Sequence, residues 1–185
     1  GSFDAAAKAV GTTAISVDAS INQVTGFNSE VLGDLKMSYA GRGSRIDQLN
    51  ISATTDGGGK VVIGNRQEGD QRQVTIQSAD AGSLLRFLDY YDKMRGGWIA
   101  INLSSSGDGP LNGSIEAQSF SLVNEPRMRS LVGGAPQGGG PSLKDAVKKD
   151  IDVSVVKFSK GYADIQKSEG FLALANGILR GELIG

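Results

Sequence analysis

The stretch "TAISVDASINQV" (13–24) alternates strictly: Ile15, Val17, Ala19 and Ile21 interleave with Ser16, Asp18 and Ser20. Neighbouring side chains of an extended chain point to opposite faces, so this period of two specifies a strand with one apolar and one polar side. Such a strand belongs in an antiparallel sheet with one wet face, because a doubly covered parallel sheet needs near-continuous apolar runs. The pattern recurs in 35–39, in 45–54 with Leu49, Ile51 and Ala53 in phase, in 60–63, and in 73–77 with Val74 and Ile76 inward. "TDGGGK" (55–60) and the polar "GNRQEGDQ" (64–71) read as the turns between them. Abundant Gly (27 residues) against 4 Pro fits many tight connections.

One segment breaks the alternation. In "DAGSLLRFLDYYDKMRGGWIAINLS" (80–104), Leu84, Leu88 and Tyr91 fall at helical spacing, with Phe87 and Met94 beside them and Arg86, Asp89 and Lys93 largely opposite. Asp80 or Ser78 can cap the first free amides. The spacing predicts an amphipathic helix over about 80–94, stopped by Gly96-Gly97 and followed by a strand at 98–103. Its packing face is Leu84, Phe87, Leu88, Tyr91 and Met94. After a loop at 104–113, 114–123 reads as a strand with a slip between Ala117 and Phe120 that suggests a bulge.

Beyond it come a short helix at about 125–132, a Gly-rich loop at 133–141 and a second short helix at about 142–149. Strands at 153–158, 161–166, 171–175 and 177–183 complete the pattern. The expectation is a single domain over 1–185 of the mainly β (α+β) class. Its centre is a curved antiparallel sheet of about 9–11 strands carrying one main helix.

Residue types narrow the chemistry. The chain has neither Cys nor His, which removes disulfides, thiolate sites and the commonest general base and metal ligand. Balanced charge, with 19 basic and 20 acidic residues, argues against nucleic acid as a partner. No apolar run reaches the roughly 18 residues of a membrane span. "GGGK" (57–60) lacks the following Ser/Thr and helix of a phosphate loop, and Lys60 opens a strand, so it reads as a hairpin turn.

Asp89 with Asp92, or Asp108 with Glu116, could pair for carboxylate hydrolase chemistry, but isolated carboxylates are ordinarily a solvated face. "LSSSGDG" (103–109) has no base for a Ser nucleophile, and Asp108 and Asp164 lie in no calcium-loop array. No catalytic residue, cofactor or metal is expected.

The apolar strand faces remain. Either they close into the domain's own core, or a curved sheet leaves part of them open as a groove. Ile99, Ile101 and Leu103, with Ile115 and Ala117 beside them, are the candidate lining.

The run 79–103 also resembles a characteristic segment of the AsmA-like superfamily, of the YhdP and TamB kind, specifically the region beside the AsmA-like C-terminal domain. The matching residues are Asp80, Ala81, Gly82, Leu84, Leu85, Tyr91, Asp92, Gly96 and Gly97. "SFSLVNEPRMRSLV" (119–132) and "VKFSKGYADIQKSEGFLALANGILRGELIG" (156–185) resemble later segments in the same order, while the Gly-rich 133–141 departs from the longer helix of many relatives. The resemblance implies a periplasmic segment of an inner-membrane-anchored Gram-negative envelope protein, its anchor outside this stretch. It implies phospholipid as the ligand, carried by its acyl chains along a β-groove between inner and outer membranes, and neighbouring domains of the same chain as partners. Gly1-Ser2 reads as an expression scar, and the ending "GELIG", which stops mid-pattern, is expected of a piece of a longer protein. The alternatives are a closed structural or protein-interaction module and, more remotely, a carboxylate-based hydrolase.

Overall fold

A computed structural model describes residues 13–43, 45–107, 109–128, 154–168 and 171–181. Nine strands follow one another: β1 (Ala14–Thr25), β2 (Val31–Arg42), β3 (Arg45–Thr55), β4 (Lys60–Glu68), β5 (Gln71–Ser78), β6 (Met94–Ser106), β7 (Leu111–Val123), β8 (Val155–Ser168) and β9 (Phe171–Gly181). They form one open antiparallel sheet in chain order, each strand bonded to its sequence neighbours. One α-helix, α1 (Ala81–Phe87), interrupts the meander between β5 and β6.

Strand alternation fixes which residues share a face. Val17, Tyr39, Leu49, Asn65, Val74, Leu103, Gly113, Ile165 and Leu174 lie opposite one another across all nine strands. Two residues along runs a second row: Ala19, Met37, Ile51, Ile63, Ile76, Ile101, Ile115 and Ala163. A third holds Ala53, Val61, Ser78, Ile99, Ala117, Gly161 and Leu179. The opposite face carries Asp18, Lys36, Asn50, Thr75, Asn102 and Glu116, which makes the sheet two-sided as the alternation requires.

Bulges keep the apolar rows in phase. Asp34 (φ 50°) and Asn176 (φ 52°) sit at register shifts in β2 and β9. In β7 the expected bulge is absent, since the register to β6 and β8 runs unbroken through Ser119, whose φ of 52° instead turns Phe120 and Leu122 onto the face of Ala117. Phe120 stacks on Phe158 of β8 with ring centroids 5.2 Å apart.

Helix α1 lies on the apolar face at the end of the strands that holds the β1–β2 and β3–β4 connections. Asp80 caps it, accepting from the Ser83 amide at 3.1 Å, and also accepts from Thr55 Oγ1 at 3.4 Å in the β3–β4 turn. Gly82 lets the helix rest directly on the backbone of β6: a Cβ there would lie 2.7 Å from the Met94 carbonyl oxygen. Leu84, 1 % exposed, clusters with Leu32, Ala53, Val61, Ile99 and Phe120.

At the other end of α1, Asn28 donates to the Arg86 carbonyl at 3.0 Å, and the Phe87 ring fills the space where Gly26 has no side chain. Arg86 joins two distant parts of the sheet. Its Nε donates to Glu30 at the lead-in to β2, and its Nη1 donates to the Met94 carbonyl at the start of β6, 2.8 Å away. In a flat sheet β2 and β6 would stand about 19 Å apart, at roughly 4.8 Å per strand. A single guanidinium with short side-chain reach cannot span that, so the sheet curls and its apolar face is the concave one.

The helix is shorter than the periodicity predicts. Asp89, with φ 56°, takes the left-handed position after the C-cap Leu88. The Tyr90 amide then bonds Leu85 O at 2.9 Å and the Asp89 amide bonds Arg86 O at 3.1 Å. This Schellman arrangement closes the helix seven residues before Gly96, using an Asp in place of Gly. Met94 therefore belongs to β6, and Gly96 and Gly97 (φ 58° and 83°) lie inside that strand.

Other boundaries shift outward for a common reason, since pairing to both neighbours holds polar residues extended. Strand β4 runs through "GNRQE" to Glu68, where a turn is expected from composition. The connection expected at 104–113 shrinks because β6 reaches Ser106 and β7 starts at Leu111. The pairs expected at 153–158 and 161–166, and at 171–175 and 177–183, are single strands β8 and β9. Of the expected helix at 125–132, residues 126–128 are helical; the rest of it, the loop 133–141 and the helix 142–149 lie outside the described residues.

Candidate functional site: the concave apolar face

The predicted lining residues come together. Ile99 pairs with Ala117, Ile101 with Ile115, and Leu103 with Gly113, all on the concave face. They divide by depth. Ile99, 1 % exposed, lies in the cluster beneath α1, while Ile101 and Ile115 are half-buried in the next row outward. Leu103 and Ala117 are buried.

Of the expected helix-packing residues, Leu84 is buried and Phe87, Leu88 and Tyr91 pack against the same cluster. Leu88 and Tyr91 do so from beyond the helix, and Met94 from β6.

Apart from α1 and the turn at 126–128, whose Met128 is buried in the same cluster, no second layer of helix or strand covers the concave face among the described residues. Apolar side chains reach solvent where the sheet opens toward its edges: Val17 is 41 % and Leu174 is 59 % exposed. Fully buried positions concentrate toward α1 and the middle strands, so the helix fills one end of the trough.

The opposite end is polar. One step beyond Val74 and Leu103, in the same side-chain phase, stand Arg72 and Ser105, while Asp47 sits at the register shift between β2 and β3. Asp47 is engaged by Arg45 at 2.8 Å and Arg42 at 3.6 Å. Arg72 is half-buried and donates through Nε to Asn65 Oδ1 at 3.3 Å. Asn65 is itself buried in the row of Leu49 and Val74, so its amide orients the guanidinium from within an apolar surround. Arg72 and Asn65 were not among the predicted site residues, although Arg72 shares the two-residue phase of Val74 and Ile76.

The carboxylates do not assemble. Asp89 and Asp92 both follow α1, exposed, with Asp92 on Lys93 at 2.9 Å. Glu116 pairs with Lys160 at 2.9 Å on the convex face, and Asp164 accepts from Tyr162 and Asn176 there. Asp108 lies outside the described residues. Among the described residues no three acidic side chains converge as metal ligands, and no helix is long and apolar enough to cross a membrane. Lys60 opens β4 after a hairpin turn in which Gly58 has φ 81° and its amide bonds Thr55 O at 2.8 Å.

A second polar contact braces the exit of α1. Tyr91 donates its hydroxyl to Glu125 just after β7, and Glu125 also accepts from the Arg127 amide at 3.1 Å. Burial, reinforced by the Glu125 carboxylate, pushes the Tyr91 phenol well above its ordinary range. The Tyr91 hydrogen bond, then the Arg127 amide, holds Glu125 below the ordinary carboxylate value.

Comparison with protein-family models, with curated proteins and with solved structures finds no match to this chain.

Proposed function

We propose that this domain carries phospholipid acyl chains on its concave face, as a non-enzymatic segment of an AsmA-like envelope protein in the periplasm. The observation that carries this reading is the apolar face running across nine strands, over which, among the described residues, α1 with its exit and the turn at 126–128 are laid. Burying each CH₂ of an acyl chain there is worth about 0.8 kcal/mol, so a chain needs no polar contact to be held. The resemblance of 79–103 to AsmA-like proteins supplies the envelope setting, the inner-membrane anchor elsewhere in the chain, and neighbouring domains as partners.

The test is photocrosslinking in the bacterial envelope from a probe placed at Ile101 or Ile115, with Asn102 and Thr75 on the convex face as controls. Phospholipid adducts at the first two and none at the controls are expected. Absence of adducts at Ile101 and Ile115, or equal labelling of both faces, would reject lipid carriage by this domain.

A further inference from the structure

The trough has two unlike ends. Helix α1 seals one with Leu84, Phe87 and Leu88, and the other passes within two residues from Val74 and Leu103 to Arg72 and Ser105. Arg72 is the unusual group there. Asp47, at the register shift of β3, is taken by Arg42 and Arg45, and Arg45 further donates to the Gly69 carbonyl at 3.4 Å. The one hydrogen bond of Arg72 among the described residues uses Nε, toward Asn65, so both terminal nitrogens of its guanidinium are uncommitted. A half-buried, oriented fork of N–H donors at the edge of an apolar face matches the paired oxygens of a phosphate, and the positive charge complements it.

We infer that Arg72 binds the phosphate of a phospholipid whose acyl chains lie on Val74, Ile76 and Ile101, with the head group at the mouth and the chains directed toward α1. This inference rests on the acyl-chain reading above and adds a polarity to it: lipid enters and leaves by the end bearing the β4–β5 and β6–β7 turns.

The experiment measures binding of a soluble short-chain phosphatidylglycerol and of a fatty alcohol of equal chain length to the whole chain. Wild type is compared with Arg72→Gln and Arg72→Lys, each checked by thermal unfolding. Arg72→Gln should weaken phosphatidylglycerol binding by roughly 10-fold or more and leave the alcohol unchanged. Arg72→Lys, which keeps the charge and loses the fork, should fall between, and it carries the test if the Gln variant does not fold.

Undiminished phosphatidylglycerol binding in Arg72→Gln, with the alcohol still bound, overturns the role of Arg72 and leaves the acyl-chain reading intact. Failure of wild type to bind either amphiphile overturns both. Displacement of phosphatidylglycerol by millimolar inorganic phosphate with the alcohol retained would mark a free-phosphate site and count against the lipid head group.

Discussion

Arg86 and Glu30 form an ion pair in which each side chain is only 17 % exposed, fifty-six residues apart in sequence. Because the same guanidinium holds the Met94 carbonyl, this pair sets the curl of the sheet as well as the position of the helix. Removing one partner strands a mostly buried charge, a loss of about 2–4 kcal/mol once partial exposure is allowed for. Arg86→Met should therefore lower the urea midpoint and widen the trough. The chain has no native Cys, so spin labels at Asn28→Cys and Lys93→Cys report the opening directly. An unchanged label distance in Arg86→Met would show that the curl is set elsewhere.

Gly82→Ala opposes two rules. Helix propensity alone favours Ala by about 1 kcal/mol. The added Cβ, however, would meet Met94 O at 2.7 Å and the Arg95 Cα at 2.9 Å, both backbone atoms that cannot swing aside. The contact should win, giving net destabilisation of about 1–3 kcal/mol in chemical denaturation. A more stable variant would mean that α1 does not rest on β6 this closely.

Leu84→Ala should cost about 3–5 kcal/mol, because the side chain clusters with apolar residues of five strands and the helix ends are pinned against collapse. The Leu88→Ala loss should be smaller, since that residue is only partly buried. Equal losses in equilibrium unfolding would contradict the depth order described above.

The Tyr91–Glu125 contact predicts two pH windows. Glu125 has a lower carboxyl pKa folded than its ordinary 4.5, so its contribution is complete above 4.5 and disappears as pH falls through the folded value. Tyr91 is raised above its ordinary 10.0, so its contribution is complete below 10 and declines as pH rises beyond it. Urea midpoints should show wild type losing more stability than Glu125→Gln below pH 4.5. Above pH 10 it should lose more than Tyr91→Phe. Parallel pH curves for wild type and variant in either window would remove that half of the account.

Much of this fold is legible in the sequence because period two leaves no freedom of phase: once Ile99 faces inward, Ile101 and Leu103 must, and pairing brings Ile115 and Ala117 beside them. The helix stop was not legible. Gly96-Gly97 is the stronger local signal for a left-handed residue, but Asp89 adopts that conformation, where Asn28 also reaches its carboxylate at 3.3 Å. Polar "GNRQ" hid the middle of β4 for a similar reason, since two flanking strands impose extension on residues that prefer turns. Arg72 was readable from the phase of Val74 and Ile76, yet its relation to Asn65 needs the register of β4 against β5.

The chain-order meander has a mechanical consequence. Its first and last strands lie at opposite edges of the sheet, so tension applied along the polypeptide loads the outermost ladder one hydrogen bond after another, as a zipper opens, and not the whole row in shear. On the β1 side the Arg86–Glu30 clasp and the Phe87 ring against Gly26 resist that peeling, and β9 has no counterpart among the described residues. A stretched chain should therefore shed β9 first at low force, leaving the helix-sealed half of the trough folded under load.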